Sequence, residues 1–325
     1  MRTGLIYSER FLEHDTGPGH PERPDRLRAV IRQLERTGLL DGLVSLPFGP
    51  ADQSVLERVH RREYIERVFA SCAAGEHCLD GADTAISQAS AHVAQLASGG
   101  AVAAVDAVMA ATVGNAFCAM RPPGHHASAS RASGFCLFNH AAIAAEHLIA
   151  QHGLERIAIV DFDVHHGDGT QHCFEHRRDV LFISIHEHPR YLYPGTGHDH
   201  EEGAGEGAGL TFNIPLLPGG DDHAYEQAMT LDVLPRLEEF SPQFLLLSAG
   251  FDAATSDSLS HMSVTPACFG RMTRELCDFA RSCCGGRVVS ILEGGYSLDE
   301  LARGVCEHVR ALCDSSAATE SPAQQ

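Results

Sequence analysis

A chain of 325 residues and 34.9 kDa can bury one large core, and a single α/β domain is the expected organisation. With 24 basic against 43 acidic residues the net charge is -19, which argues against nucleic acid as a partner and favours cationic partners or substrates. No run of about 18 apolar residues occurs, no leader pattern opens the chain, and eleven cysteines without a CxxC pair read as reduced thiols, so a cytoplasmic protein without a membrane partner is expected.

The apolar run TGLIY near the start reads as a strand. Leu27, Val30, Ile31 and Leu34 recur at helical spacing, predicting a helix from Pro24 to Leu40. An Ala-rich stretch over 85–112 reads as a helix packed closely on a sheet, followed by the strand NAFCAM at 115–120. A second Ala-rich helix covers 140–150. Strands then follow as RIAIV at 156–160, VLFISI at 180–185, LTFNIPL at 210–216, QFLLLS at 243–248 and RVVSIL at 287–292. Near-continuous apolar strands separated by helices predict a mostly parallel sheet covered on both faces. The polar, small-residue ending predicts a disordered tail over 315–325, after one domain spanning 1–314.

Five of these strands run straight into polar motifs. NAFCAM leads to RPPGHH, RIAIV to DFDVHHGDG, VLFISI to HEH, FLLLSAG to FDA, and VVSIL to EGGY. Open α/β sheets place their sites beyond the carboxyl ends of strands, so segments far apart in sequence can converge in one crevice. If the strand after RIAIV continues through Asp163, its alternation puts Asp161, Asp163 and His165 on one side. Asp163, His165 and Asp252 then make a three-ligand set with a position left open for water. An isolated DxDxH reads equally well as helix-capping aspartates beside a packed histidine; the other strand-end motifs favour the metal. His125 and His126, with Asp161 and Asp168 unclaimed, suggest two His–Asp dyads in which each carboxylate fixes a tautomer. Tyr296, after two glycines, can point its hydroxyl into the crevice as an oxyanion donor.

In their order and spacing, RPPGHHA, DFDVHHGDGT, LSAGFDA and EGGY resemble the zinc-dependent histone deacetylase family, which includes acetylpolyamine amidohydrolases and bacterial deacetylase-like amidohydrolases. The resemblance spans about residues 4 to 312, and HPERPDRL at 20–27 is similar to the entrance-loop region of the class II and bacterial branch. It implies the arginase-deacetylase fold, a parallel eight-stranded sheet flanked by helices. It also implies zinc on Asp163, His165 and Asp252, with His126 as general base toward the metal-activated water and acid toward the leaving amine. His125 would be its electrostatic partner, Asp161 and Asp168 would orient His125 and His126, and Tyr296 would donate to the substrate carbonyl. Gly134, Phe135 and Tyr193 would shape a narrow acyl-lysine tunnel. A structural K+ or Na+ would sit on Asp161 and Ser184 side chains and on carbonyls of Asp161, Asp163, His165 and Ile185.

Other readings fit the residues less well. The related arginases hold two manganese ions and need further carboxylates, which the AATS after Asp252 lacks. Ser248 has no preceding glycine of a nucleophile elbow, GAGEGAG precedes a strand rather than a helix, and HDHEE at 198–202 reads as a solvated tract. A catalytically silent acyl-lysine binding module would have lost a ligand, the His pair or the Tyr, and none is lost. For the substrate, Leu259 stands where polyamine-selective relatives can carry a glutamate, which favours acetylated lysine in a peptide or protein. An acetylated polyamine is the alternative, because the segment from Cys72 to Ser87 brings Glu76, Asp80 and Asp83. The same ligands accept iron or cobalt, and the sequence leaves a homo-oligomer open.

Overall fold

Runs without polar alternation become strands buried on both faces. In the computed structural model, which describes residues 1–318, these are β1 (Thr3–Ile6), β2 (Val44–Ser45), β3 (Asn115–Cys118), β4 (Ile157–Asp161), β5 (Val180–Glu187), β6 (Thr211–Leu216), β7 (Phe244–Ala249) and β8 (Val288–Leu292). They form one all-parallel sheet in the order β2-β1-β3-β8-β7-β4-β5-β6. The helices between them are α1 (Asp25–Arg36), α2 (Gln53–Leu56), α3 (Arg62–Ala74), α4 (Ser90–Met109), α5 (His140–His152), α6 (Asp168–Phe174), α7 (Asp222–Ala228), α8 (Leu234–Phe240), α9 (Pro266–Cys283) and α10 (Leu298–Ala318). This is the α/β architecture expected, with β2 as a two-residue edge strand that no apolar run announced.

The order has a functional consequence. The five strands whose ends carry polar motifs, β3, β8, β7, β4 and β5, are the five contiguous central ones. Their carboxyl ends therefore share one rim.

Local chemistry sets the helix limits. α1 buries Leu27, Val30 and Leu34 and stops at Arg36, short of the expected Leu40, because Gly38 turns the chain at φ +72. In α4, a Cβ at Gly99 would overlap the carbonyl of Gly49, so the small residues permit an approach that a larger side chain would block. The expected tail is corrected at its start. Residues 315–318 continue α10, where Ser316 accepts from Thr3 Oγ1 at 3.2 Å and its carbonyl accepts from the N-terminal ammonium at 3.0 Å. The remainder of that tail, 319–325, lies outside the described residues. Among the described residues, no helix is long and apolar enough to cross a membrane.

Candidate active site

β4 does not continue through Asp163. It ends at Asp161, whose Oδ1 accepts from the Asp163 N–H at 3.1 Å; Asp163 Oδ1 in turn accepts from the His165 N–H at 2.9 Å. Two successive side-chain turns replace the expected strand alternation and still bring Asp163 and His165 to the rim.

There His165 Nδ1 lies 3.0 Å from Asp163 Oδ1 and 3.1 Å from Asp252 Oδ2, with both carboxylates fully buried. The outer oxygens are held from behind: Gly294 N–H donates to Asp163 Oδ2 at 2.7 Å and Val164 N–H to Asp252 Oδ1 at 3.0 Å. A Cβ at Gly250 or Gly294 would overlap these carboxylates, so the glycines of LSAG and EGG make room for the cluster.

Electrostatically the two carboxylates repel one another. Burial opposes ionisation of Asp163, but His125 and the bonds to His165 hold its carboxyl below the usual range. Asp252 is pushed up to about 7 by burial and by the Asp163 charge. Burial also works against a charged His165, yet its two carboxylate partners raise it to about 10. Two carboxylates and one imidazole nitrogen converging in a dry site form a donor set that a divalent cation fits.

Beside it stand the two histidines. His125 Nδ1 is 2.9 Å from Asp161 Oδ2, and His126 Nδ1 is 2.6 Å from Asp168 Oδ1. Their rings are 4.0 Å apart, and their environments separate them. For His125, burial is outweighed by Asp161 and Asp163, which hold it well above its ordinary value. His126 is lowered to about 4 by burial and by the charge of His125, against the pull of Asp168. The two neighbours are thus pushed in opposite directions, His125 toward the charged form and His126 toward the neutral base. Gly169 packs against the His126–Ala127 backbone too closely for any Cβ, which lets α6 present Asp168.

Above the carboxylates a cavity of 220 Å³ is lined by His126, Gly134, Phe135, His165, Leu192, Tyr193, Leu259, Tyr296 and Asp83. Gly134 adopts φ +51 with its Cα against the His126 ring, and Phe135 adopts φ +68. A phenylalanine held in the left-handed region marks a position that the surrounding structure fixes. Phe135 meets Tyr296 edge to face at 5.8 Å, and Tyr193 meets His126 at 5.1 Å. Tyr296 is half-buried in the wall, and its desolvation there raises its hydroxyl well above the ordinary value, with Arg26 opposing. Asp161 and Ser184, expected on a monovalent cation, face each other in register on β4 and β5; Ser184 Oγ also lies 2.8 Å from His186 Nδ1.

Sequence reasoning missed the groups that hold these side chains. Glu293 Oε2 accepts from the N–H groups of Gly124 and His125 at 2.6 and 3.1 Å, fixing the His-pair turn. Asp257 accepts from the N–H groups of Tyr296 and Ser297 at 2.6 and 2.9 Å, and from that of Leu259 at 3.0 Å. Glu293 lies within EGGY, already singled out, so a signal existed for it; Asp257 follows the AATS after Asp252 and belongs to no motif named above. HPERPDRL does more than line an entrance: Glu22 is fully buried, bridged bidentately by Arg121 at 2.5 and 2.7 Å and reached by Arg26 at 3.1 Å. Arg26 also donates to the carbonyls of Gly295 and Glu293 and lies 5.0 Å from the Tyr296 ring centroid. In HDHEE, Asp199, His200 and Glu202 are exposed as expected, whereas Glu201 accepts from Gly197 and His198 N–H and from Gln171.

Comparison with known proteins agrees with this geometry. The family described as histone deacetylase domain matches residues 20–312. A histone deacetylase-like amidohydrolase of Pseudomonas aeruginosa is 41% identical over 313 residues, covering 91% of this chain and 82% of the relative. Human polyamine deacetylase HDAC10 is 40% identical over 326 residues, covering 96% of this chain and 48% of that protein. The crystal structure of the HDA15 HD domain superposes with a TM-score of 0.92 at 38% identity, covering 97% of this chain and 90% of that one.

Proposed function

Because this chain belongs to the histone deacetylase family, we propose that it is a zinc-dependent amidohydrolase that removes acetyl groups from lysine side chains of peptides or proteins. The observation that carries this reading is the convergence of Asp163, His165 and Asp252 with His126 and Tyr296 at one apolar-walled cavity. Asp163, His165 and Asp252 would hold the zinc, which would supply Lewis acidity toward the amide carbonyl and the attacking water.

The chain's own residues then divide the proton work. His126, neutral and oriented through Nδ1 by Asp168, takes the proton from water and returns it to the departing amine. His125 stays charged on Asp161 and stabilises the negative charge that develops nearby. Tyr296 keeps its proton and donates to the carbonyl oxygen, more strongly as that oxygen becomes an oxyanion. Phe135, Tyr193 and Leu192 exclude water along the acyl-lysine stem. Asp161 and Ser184, with carbonyls of Asp161, Asp163, His165 and Ile185, are proposed to hold a structural K+ or Na+ behind the centre. Supporting a reducing, cytoplasmic setting, all eleven cysteines are free.

Leu259 in the cavity wall supports acetyl-lysine over a substrate with a second ammonium. Asp83 at the mouth supports the second reading, an acetylated polyamine. The chain contains no lysine, so every acetyl-lysine in an assay belongs to the substrate. The test is hydrolysis of an acetyl-lysine peptide and of an acetylated polyamine by zinc-loaded protein, with Tyr296→Phe as control. Peptide turnover lost in the control supports the proposal; polyamine turnover alone overturns the substrate; turnover of neither returns the silent-module reading.

A further inference from the structure

Away from the rim, on the pair of helices α4 and α5, three side chains close on one point. Asp106, in the last turn of α4, has its Oδ1 2.8 Å from His147 Nε2 and 2.7 Å from His152 Nε2, both on α5. The two imidazole rings are 5.7 Å apart at 69°, so they direct nitrogens at the carboxylate rather than stack. Among the described residues no arginine pairs with Asp106. We propose that Asp106, His147 and His152 form a second metal site, for a borderline divalent cation such as zinc.

Three observations support it. One ligand atom from each residue lies within 4.8 Å of the others, and two imidazole nitrogens with one carboxylate oxygen are the donors that borderline divalent ions take, leaving positions for water. The side chains grade from His147, 10% exposed, through His152 at 25% to Asp106 at 47%, so an ion enters from solvent against a buried backstop. His152 is the last residue of α5, and the carbonyl ends of both helices add partial negative charge around the cluster.

One contact opposes the ion and supplies a signature. Arg58 Nη1 lies 3.4 Å from His147 Nδ1. With a metal on Nε2 the ring proton must reside on Nδ1, and Arg58 then faces an N–H instead of an acceptor. Removing the guanidinium should therefore tighten metal binding, whereas a plain His–Asp tie between helices predicts no such gain.

The experiment is a zinc titration of the full chain, freed of metal, by calorimetry. Asp252→Asn serves as background so that the candidate catalytic centre contributes little. The proposal expects one micromolar equivalent in that background, lost on adding His152→Ala or Asp106→Asn, and bound about tenfold more tightly with Arg58→Gln. Asp106→Asn keeps an acceptor for both rings, so the helix pair stays tied where an alanine would loosen it. Absence of the equivalent, its retention in both ligand variants, or no gain with Arg58→Gln would overturn the proposal.

Discussion

Two buried clusters of charge lie back to back beneath the rim, and they are completed differently. Around Glu22, the carboxylate is flanked by Arg121 and Arg26; burial opposes its ionisation, but Arg121 holds it well below the usual carboxylate range. Around Asp163 and Asp252, no arginine among the described residues pairs with either carboxylate, and Asp252 is pushed up to about 7. The first cluster is neutralised from within the chain. The second is bridged by the His165 imidazole alone, whose nitrogen becomes a donor once its proton leaves, as the proposed metal centre requires.

The largest expected effects separate the two clusters by sign. Glu22→Gln leaves two buried guanidinium groups without their shared carboxylate and should destabilise the protein by about 3–5 kcal/mol in urea melts. Asp252→Asn removes a carboxylate from a repelling pair, and metal-free protein should be as stable as before or more so. Its losses should appear in zinc affinity and in turnover, which should fall to background. Equal destabilisation of the metal-free protein by both substitutions would break the comparison.

Tyr296→Phe tests the contact between the clusters. The tyrosine ring packs near Arg26 from the first cluster while the residue lines the cavity of the second. Loss of one oxyanion donor should lower kcat by about 10²–10³-fold with KM little changed. The melting midpoint should barely move, because the ring and its contact with Arg26 remain. A large fall in stability would instead mean that the hydroxyl serves the fold.

How much of this was legible beforehand depends on range. The apolar runs marked seven of the eight strands within a residue or two, since burial on both faces leaves an unambiguous signature; β2, two residues at an edge, leaves none. The rim cluster of Asp163, His165 and Asp252 and the His pair were legible because they follow strands directly. Their supports were less so. Glu22 meets Arg121 across 99 residues, and nothing local distinguishes it from a surface glutamate in a charged helix start. Asp163 reached the rim by side-chain turns rather than by strand alternation, so the placement was right and the reason was not.

A pH titration sharpens the contrast with histidines that belong to the fold alone. His60, His140 and His308 are buried and neutral, lowered to about 3, 4 and 3 chiefly by burial. Each has a folded value below its unfolded one, so its contribution is complete above about pH 6.5 and is lost as pH falls toward the folded value. Between pH 7 and pH 6 each should forfeit about 0.7 kcal/mol, or about 2 kcal/mol for the three together. The ring signals of the three in the NMR spectrum of folded metal-free protein should therefore stay unshifted from pH 7 to pH 6. Signals that move over that unit would mean that these rings take up protons without penalty.

The smallest effect concerns a charge added where neither cluster can neutralise it. Leu259 lines the cavity and its backbone N–H is fixed by Asp257, so a longer side chain at this position projects from a held loop. In Leu259→Glu the new carboxylate joins Asp83 in the wall with no arginine lining the cavity. Like the proposed metal centre, it would be completed from outside, here by the second ammonium of a polyamine substrate. The ratio of acetylpolyamine to acetyl-lysine kcat/KM should rise about tenfold, equivalent to about 1.4 kcal/mol of differential transition-state binding. The gain should shrink at high salt, since a charge pair at an open mouth is screened. An unchanged ratio would remove Leu259 from the determinants of specificity and leave Asp83 as the residue through which polyamine recognition has to be sought.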